Sequence, residues 1–163
     1  MSIIAVRIDG RLIHGQVANL WTTKLNITRI MVVDDQVAQS AIEKSGLKLA
    51  TPAGVKLSVL PYAKAAQNIL AGRYDSQRLL IVAKKPHYLL KLVEEGVLIE
   101  EINVGNMSQN ETTRQITRSI NVDDHDVEDF KRLDEKGVRL IAQMVPADDA
   151  KNFMAMLKEK EGE

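Results

Sequence analysis

The stretch "IIAVRIDGRLIHGQVANLW", Ile3 to Trp21, sets the reading of the whole chain. Ile3 to Ile8 is a run of strand length rich in branched residues. Val17, Leu20, Trp21 and Leu25 then recur at the i, i+3, i+4, i+8 spacing of one helical face. That is a β-α unit, with "DGRLIHG" at the turn between its halves.

The alternation continues along the chain. "RIMVV" (Arg29 to Val33) predicts a second strand, and Val37, Ala38, Ala41, Ile42 and Ser45 a helix that Gly46 weakens and Pro52 ends. "VKLSVL" (Val55 to Leu60) predicts a third strand, with Pro61 opening a helix that stops at Gly72. "RLLIVA" (Arg78 to Ala83) is continuously apolar after its arginine, as a central strand covered on both faces must be, and a helix follows from Pro86 to about Glu95. "EINVG" (Glu101 to Gly105) is a fifth strand. The rhythm then breaks: a polar loop leads into Ile116, Arg118, Ile120 and Val122, alternating as one short strand. Asp123 and Asp124 are N-cap candidates for a helix carrying Val127, Phe130 and Leu133 and stopping at Gly137. "VRLIAQMV" reads as the last strand and "ADDAKNFMAMLKEK" as the closing helix. The expected fold is α/β, an open, mostly parallel twisted sheet of about seven strands with helices on both faces, forming a single domain over residues 1–163. Ligands of such sheets sit beyond the carboxyl ends of the strands, and the first strand ends in "DGRLIHG".

Composition narrows the chemistry. A chain of 163 residues with 45% apolar content suits one sizeable core. Lys plus Arg (22) balances Asp plus Glu (22), so the chain lacks the basic excess that draws a protein to a phosphate polymer, and nucleic acid is not an expected partner. With no cysteine there is no disulfide, no thiolate nucleophile and no cysteine zinc site, which fits a reducing compartment. The first apolar run is too short for a signal peptide and no later run approaches membrane-spanning length, so a cytoplasmic location is expected.

The turn itself suggests a phosphate cradle. The first amides of a helix have no intrahelical partner, and the macrodipole places partial positive charge there. Gly10 allows a tight turn or close approach, Arg11 offers a fork of donors suited to phosphate, and Gly15 keeps bulk away from His14. A neutral imidazole has a nucleophilic ring nitrogen, and a histidine in such a cradle can attack phosphorus to give a labile phosphoramidate that passes the group on. On the residues alone, a surface histidine beside an ordinary glycine turn fits the same pattern. Arg7 reads equally as a surface charge, Asp9 as a turn or capping residue, and Gln16 as an exposed helix residue. A non-catalytic module binding a phosphorylated small molecule at this turn is the alternative. Nucleotide binding lacks its G-x-G-x-x-G or Walker A loop.

"RIDGRLIHGQV", Arg7 to Val17, resembles the signature of the IIB component of the mannose/fructose/sorbose family of the bacterial sugar phosphotransferase system. "VVDD", "INVGNM", "RQITRSINVDDHDVEDFKRLDEKGV" and "AQMVP" follow the layout of that family, so the resemblance covers nearly the whole chain. One departure is Gly10, where many members carry an acidic residue. The resemblance implies that His14 is phosphorylated by a phosphorylated IIA protein or domain and donates to a sugar entering through the membrane IIC and IID subunits. It implies as helpers Arg11, the backbone from Gly10 through Ile13 to Gly15 and Gln16, and Arg7 and Asp9. No metal and no cofactor are implied, phosphoenolpyruvate is the remote donor, and self-association as a homo-oligomer stays open. Specificity in such systems lies largely in the membrane subunits, so mannose, fructose, sorbose and N-acetylgalactosamine all fit.

The remaining candidates have simpler readings. His87 and His125 look like exposed helix-end residues and form no metal constellation. Asp34 and Asp35 end the second strand, where they serve the site or cap the next helix. Arg114 and Arg118 lean over the phosphate or decorate an edge strand, and Lys84 and Lys85 rim the site or form a solvated pair. Leu12, Ile13 and Trp21 are docking contacts or core, with Trp21 on the buried helical face, and Met144, Met154 and Met156 are core filler.

Overall fold

The computed structural model describes residues 2–162. The first β-α unit is present, with β1 at Ile3–Asp9 and α1 at Gly15–Lys24, but of the expected helical face Leu20 is 48% exposed and Leu25 is the C-cap. Then come β2 (Arg29–Val33), α2 (Ala41–Ala50), β3 (Lys56–Leu60), α3 (Tyr62–Leu70), β4 (Leu79–Ala83), α4 (Pro86–Glu94) and β5 (Glu101–Asn106). The chain closes with β6 (Arg114–Thr117), β7 (Ile120–Val122), α5 (Asp124–Glu135), β8 (Arg139–Ala142), β9 (Lys151–Asn152) and α6 (Phe153–Lys160).

Seven strands form one sheet in the order β3-β2-β4-β1-β5-β8-β9, parallel except for β9. The expected architecture is present. β1 lies at the centre, between β4 and β5, with Arg7 opposite both Val82 and Asn103. Side-chain alternation divides the core in two. Leu12 and Ile13 pack with Ile30, Val32, Leu80 and Val82 on the face that α1 and α2 cover, where Leu47 joins them. Val6, Ile8, Ile81 and Ala83 face the other layer, filled from α3, α4, α5 and α6 by Ala65, Leu89, Phe130 and Phe153.

Four local expectations are corrected. Residues 37–50 do not form one helix: a 3₁₀ turn at Val37–Gln39 stops at Ser40, whose hydroxyl accepts from the Glu43 amide and caps α2. Ile42, in the first turn of α2, is 86% exposed. The single strand expected through Ile116 and Val122 is an antiparallel hairpin outside the main sheet, turning at Arg118 and Ser119. Its alternation survived the turn because Ile116, Ile120 and Val122 all face the same core. "VRLIAQMV" holds a strand only as far as Ala142, and the closing helix begins at Phe153 after the short antiparallel β9, with Asn152 accepting from the Ala155 amide as its cap.

Candidate functional site

His14 stands at the N-cap of α1, with extended backbone at φ −138° and ψ 109°. Its side chain is exposed, and the imidazole has no hydrogen-bond partner among the described residues. The first amides of α1 lack intrahelical partners for the reason common to all helices, and here they open to solvent beside that ring. Gly15 takes φ +46°, a left-handed conformation that lets the chain swing from the loop into the helix.

The loop before His14 is held by one carboxylate. Asp9, 2% exposed, accepts from the Arg11 amide at 3.0 Å, from Arg11 Nε at 3.2 Å and Nη2 at 3.3 Å, and from Arg7 Nη2 at 3.4 Å. A turn bond from the Leu12 amide to the Asp9 carbonyl, 2.9 Å, tightens the same corner. Arg11 is thus fixed along one edge of its fork, while Nη1 has no partner among the described residues and lies at a partly exposed surface. Leu12 sits at φ +62°, which costs about 1 kcal/mol for a residue with a Cβ. Burial of its side chain, 7% exposed, is worth about 2 kcal/mol and outweighs that cost. The strained residue therefore persists and aims His14 outward.

Gly10 serves by having no side chain. A Cβ there would lie 2.6 Å from Ser108 Oγ and 3.1 Å from the Ser108 amide nitrogen, and the Gly10 amide donates to the Asn106 carbonyl at 2.9 Å. The loop is thereby pinned to the segment after β5.

Arg7 lies beneath this arrangement, 4% exposed. Nη1 donates to Asn103 Oδ1 at 2.6 Å and to the Gln143 carbonyl at 3.0 Å, and Nη2 donates to the Met144 carbonyl at 2.8 Å besides Asp9. The guanidinium lies 5.1 Å from the Trp21 ring centroid, and the Trp21 indole N–H donates to the same Met144 carbonyl at 3.0 Å. Burial pushes the Arg7 group down from its ordinary value and Asp9 pulls it back up. Its donors point into the protein, so the structure places Arg7 behind Asp9 and not at the surface with His14.

Asn103, Gly105, Gln143 and Met144 are site-supporting residues that the sequence reading missed. A polar Asn103 between Ile102 and Val104 in a buried strand was the one available signal.

The other candidates lie elsewhere. Leu12, Ile13 and Trp21 are all buried, so none is free for docking. Gln16 is exposed on the first turn of α1. Asp34 accepts from the Gln36 and Val37 amides, and Asp35 from the Tyr62 amide at the start of α3. Arg114 pairs with Asp124 at 2.9 Å and with Glu161, tying the hairpin to α5 and the end of α6, while Arg118 is exposed at the hairpin turn. Lys85 pairs with Asp123 at 3.0 Å and Asp126 at 3.6 Å; burial alone would lower its pKa, and those carboxylates raise it instead. His87 lies 3.9 Å from Asp129 on the α4 and α5 side, and His125 is exposed in the first turn of α5. No cluster of three metal-ligating side chains occurs among the described residues. Met154 is buried, Met156 packs half-buried against the core, and Met144 contributes its carbonyl more than its side chain.

No helix of the described residues is long and apolar enough to cross a membrane. The sorbose subfamily of phosphotransferase-system IIB components matches residues 3–163. The chain is 34% identical to the fructose-specific EIIB component of Bacillus subtilis, covering 97% of each protein. It is 36% identical to the mannose-specific EIIAB component of Escherichia coli K12, covering 96% of this chain and 49% of that one, so it spans about half of the fused relative. The IIBSor domain of the sorbose permease from Klebsiella pneumoniae superposes with a TM-score of 0.94 at 32% identity, covering 98% of each chain. An exposed histidine on a braced loop beyond the central strand thus occurs in a chain that belongs to the sorbose subfamily of IIB components of the sugar phosphotransferase system.

Proposed function

We propose that this chain is a phosphoryl carrier in which His14 is the transient acceptor. A phosphorylated IIA protein or domain presents its phosphohistidine. The donor P–N bond breaks as a P–N bond forms to a ring nitrogen of His14. A sugar hydroxyl held by the membrane IIC and IID subunits then attacks the same phosphorus, the second P–N bond breaks, the hydroxyl loses its proton and the imidazole regains its lone pair.

The observation that carries this reading is the unpartnered, exposed imidazole three residues after an arginine whose guanidinium is braced on one edge and free on the other. Arg11 Nη1 and the first amides of α1 supply positive charge where the phosphoryl oxygens would sit, and Asp9 with Arg7 behind it keeps Arg11 in place. Neither a metal nor a nucleotide takes part. The alternative, a module binding a phosphorylated small molecule, is disfavoured by volume: the cleft that His14 lines with Leu12, Ile13 and Val82 holds about 10 Å³. That is room for about one water at most, whereas small-molecule pockets run to hundreds of Å³. A macromolecular donor needs no pocket.

The test is incubation with phosphoenolpyruvate, the general phosphocarrier enzymes and a cognate IIA, followed by intact mass and peptide mapping at alkaline pH. One phosphoryl group on the "LIHGQV" peptide, absent in His14→Ala, is the expected result. No label from any active IIA donor would reduce His14 to an anion-binding residue.

A further inference from the structure

Two adjacent lysines follow β4, and alternation along the chain sets them toward opposite sides of the sheet. Lys85 faces the α3 to α6 layer and is consumed by Asp123 and Asp126. Lys84 is half-buried and has neither a hydrogen bond nor an ion pair among the described residues. Its face follows from the register. Arg7 is opposite Val82 and Ile8 opposite Ala83, the last residue of β4, so Lys84 leaves the strand at the same end of the sheet at which Asp9 closes β1. Val82 belongs to the core under α1 and Ala83 to the other core, and alternation returns Lys84 to the α1 side, shared with Arg7 and Asp9. Val82 lines the small cleft under Leu12, Ile13 and His14. Lys84 follows two residues later, one past the end of β4, at the carboxyl edge of the sheet where that cleft lies.

The nearby acids leave this ammonium unclaimed. Asp9 is taken by Arg7 and Arg11. Asp34, the residue after β2, turns its Oδ1 to the Gln36 and Val37 amides. A half-buried cation without a counter-ion, beside an exposed histidine, is arranged for an anion that arrives.

We propose that Lys84 is a second phosphate-holding residue of the His14 site, meeting the phosphoryl oxygens from the β4 side while Arg11 meets them from the loop. This rests on the phosphoryl-carrier reading. Lys84 then acts on the phosphorylated state and not on the fold, because it makes no bond in the free protein. A flexible ammonium suits this task, since it can swing to the group after transfer, where the braced Arg11 cannot.

The decisive quantity is the equilibrium constant for phosphoryl exchange between phospho-IIA and this chain. A cation that touches the phosphoryl on His14 stabilises the product alone, whereas one that only guides docking changes the rate and leaves that constant alone. Lys84→Gln is expected to lower the constant about tenfold and to move the phosphorus resonance of phospho-His14. Lys84→Arg is expected to keep most of the constant, and both variants should unfold at the wild-type temperature. If wild type is phosphorylated and Lys84→Gln shows the wild-type equilibrium constant, the Lys84 proposal is overturned and the carrier reading stands. If wild type takes no phosphoryl group from any IIA donor, the carrier reading falls and takes Lys84 with it.

Discussion

No side chain fits at residue 105, because the Arg7 guanidinium lies against its Cα: a Cβ built on Gly105 overlaps Nη1, Nη2 and Cζ of Arg7. The glycine of "INVGN" is therefore an accessory of a charge on the neighbouring strand. Arg7 steadies Asp9, and Asp9 holds the edge of Arg11 that faces the protein, so a missing methyl group on β5 supports the exposed loop of β1.

Gly105→Ala is accordingly expected to displace a buried guanidinium from four acceptors and cost about 3 kcal/mol in unfolding free energy. Urea denaturation measures it. In an Arg7→Met background the same substitution should cost under about 1 kcal/mol, since the overlap is gone. Equal costs in both backgrounds would show that Gly105 is needed for some reason other than Arg7.

Arg11 separates binding from folding. Its pair with Asp9 is a third exposed on the arginine side, so Arg11→Lys should change stability by less than about 1 kcal/mol. Lysine cannot rest one edge on Asp9 and offer another to phosphate, and the rate of transfer from phospho-IIA is expected to fall on the order of 100-fold. Rapid-quench transfer assays alongside thermal unfolding check both halves. A loss of stability that accounts for the lost rate would make Arg11 a structural residue.

The α4 and α5 side carries a pH signature unrelated to His14. Burial pushes the Asp129 carboxyl up, with His87, His125 and Arg132 pulling it down less strongly. A carboxyl whose folded pKa is raised binds more protons folded than unfolded, so ionisation disfavours the fold at neutral pH and acidification relieves it. Asp129→Asn should be more stable than wild type above the raised pKa, and the advantage should vanish below about 3.8. Denaturation midpoints from pH 7 to pH 3.5 test this. A constant difference across the range would exclude ionisation as the cause.

Elements that announce themselves locally were legible, and long-range ones were not. The β-α alternation and the position of "DGRLIHG" at the end of β1 follow from periodicity that a window of a dozen residues contains. Arg7 could not be placed that way. Its partners Asn103, Gln143 and Met144 lie 96 to 137 positions away, and nothing beside Arg7 marks it as buried. The 3₁₀ turn before Ser40 and the hairpin turn at Arg118 were hidden for a different reason. Apolar residues on either side of each break happen to stay in phase with a continuous element. Lys84 and Lys85 read as one charged pair until the ion pairs of Lys85 with Asp123 and Asp126 set it apart from Lys84.

Helix α2 offers the test with the clearest sign. Of its ten residues only Leu47 is buried, so packing contributes little and intrinsic propensity carries unusual weight. Gly46 lies inside it with ordinary helical backbone, and a Cβ there meets nothing within 4 Å. Gly46→Ala therefore removes unfolded-state freedom without strain and should stabilise α2 by about 1 kcal/mol. Amide exchange across residues 41–50 should slow by about fivefold, the equivalent of that free energy, while phosphorylation of His14 proceeds as in wild type. Unchanged exchange would mean that α2 opens only when the whole molecule unfolds, with Leu47 and the Ser40 cap holding it more firmly than its exposed surface implies.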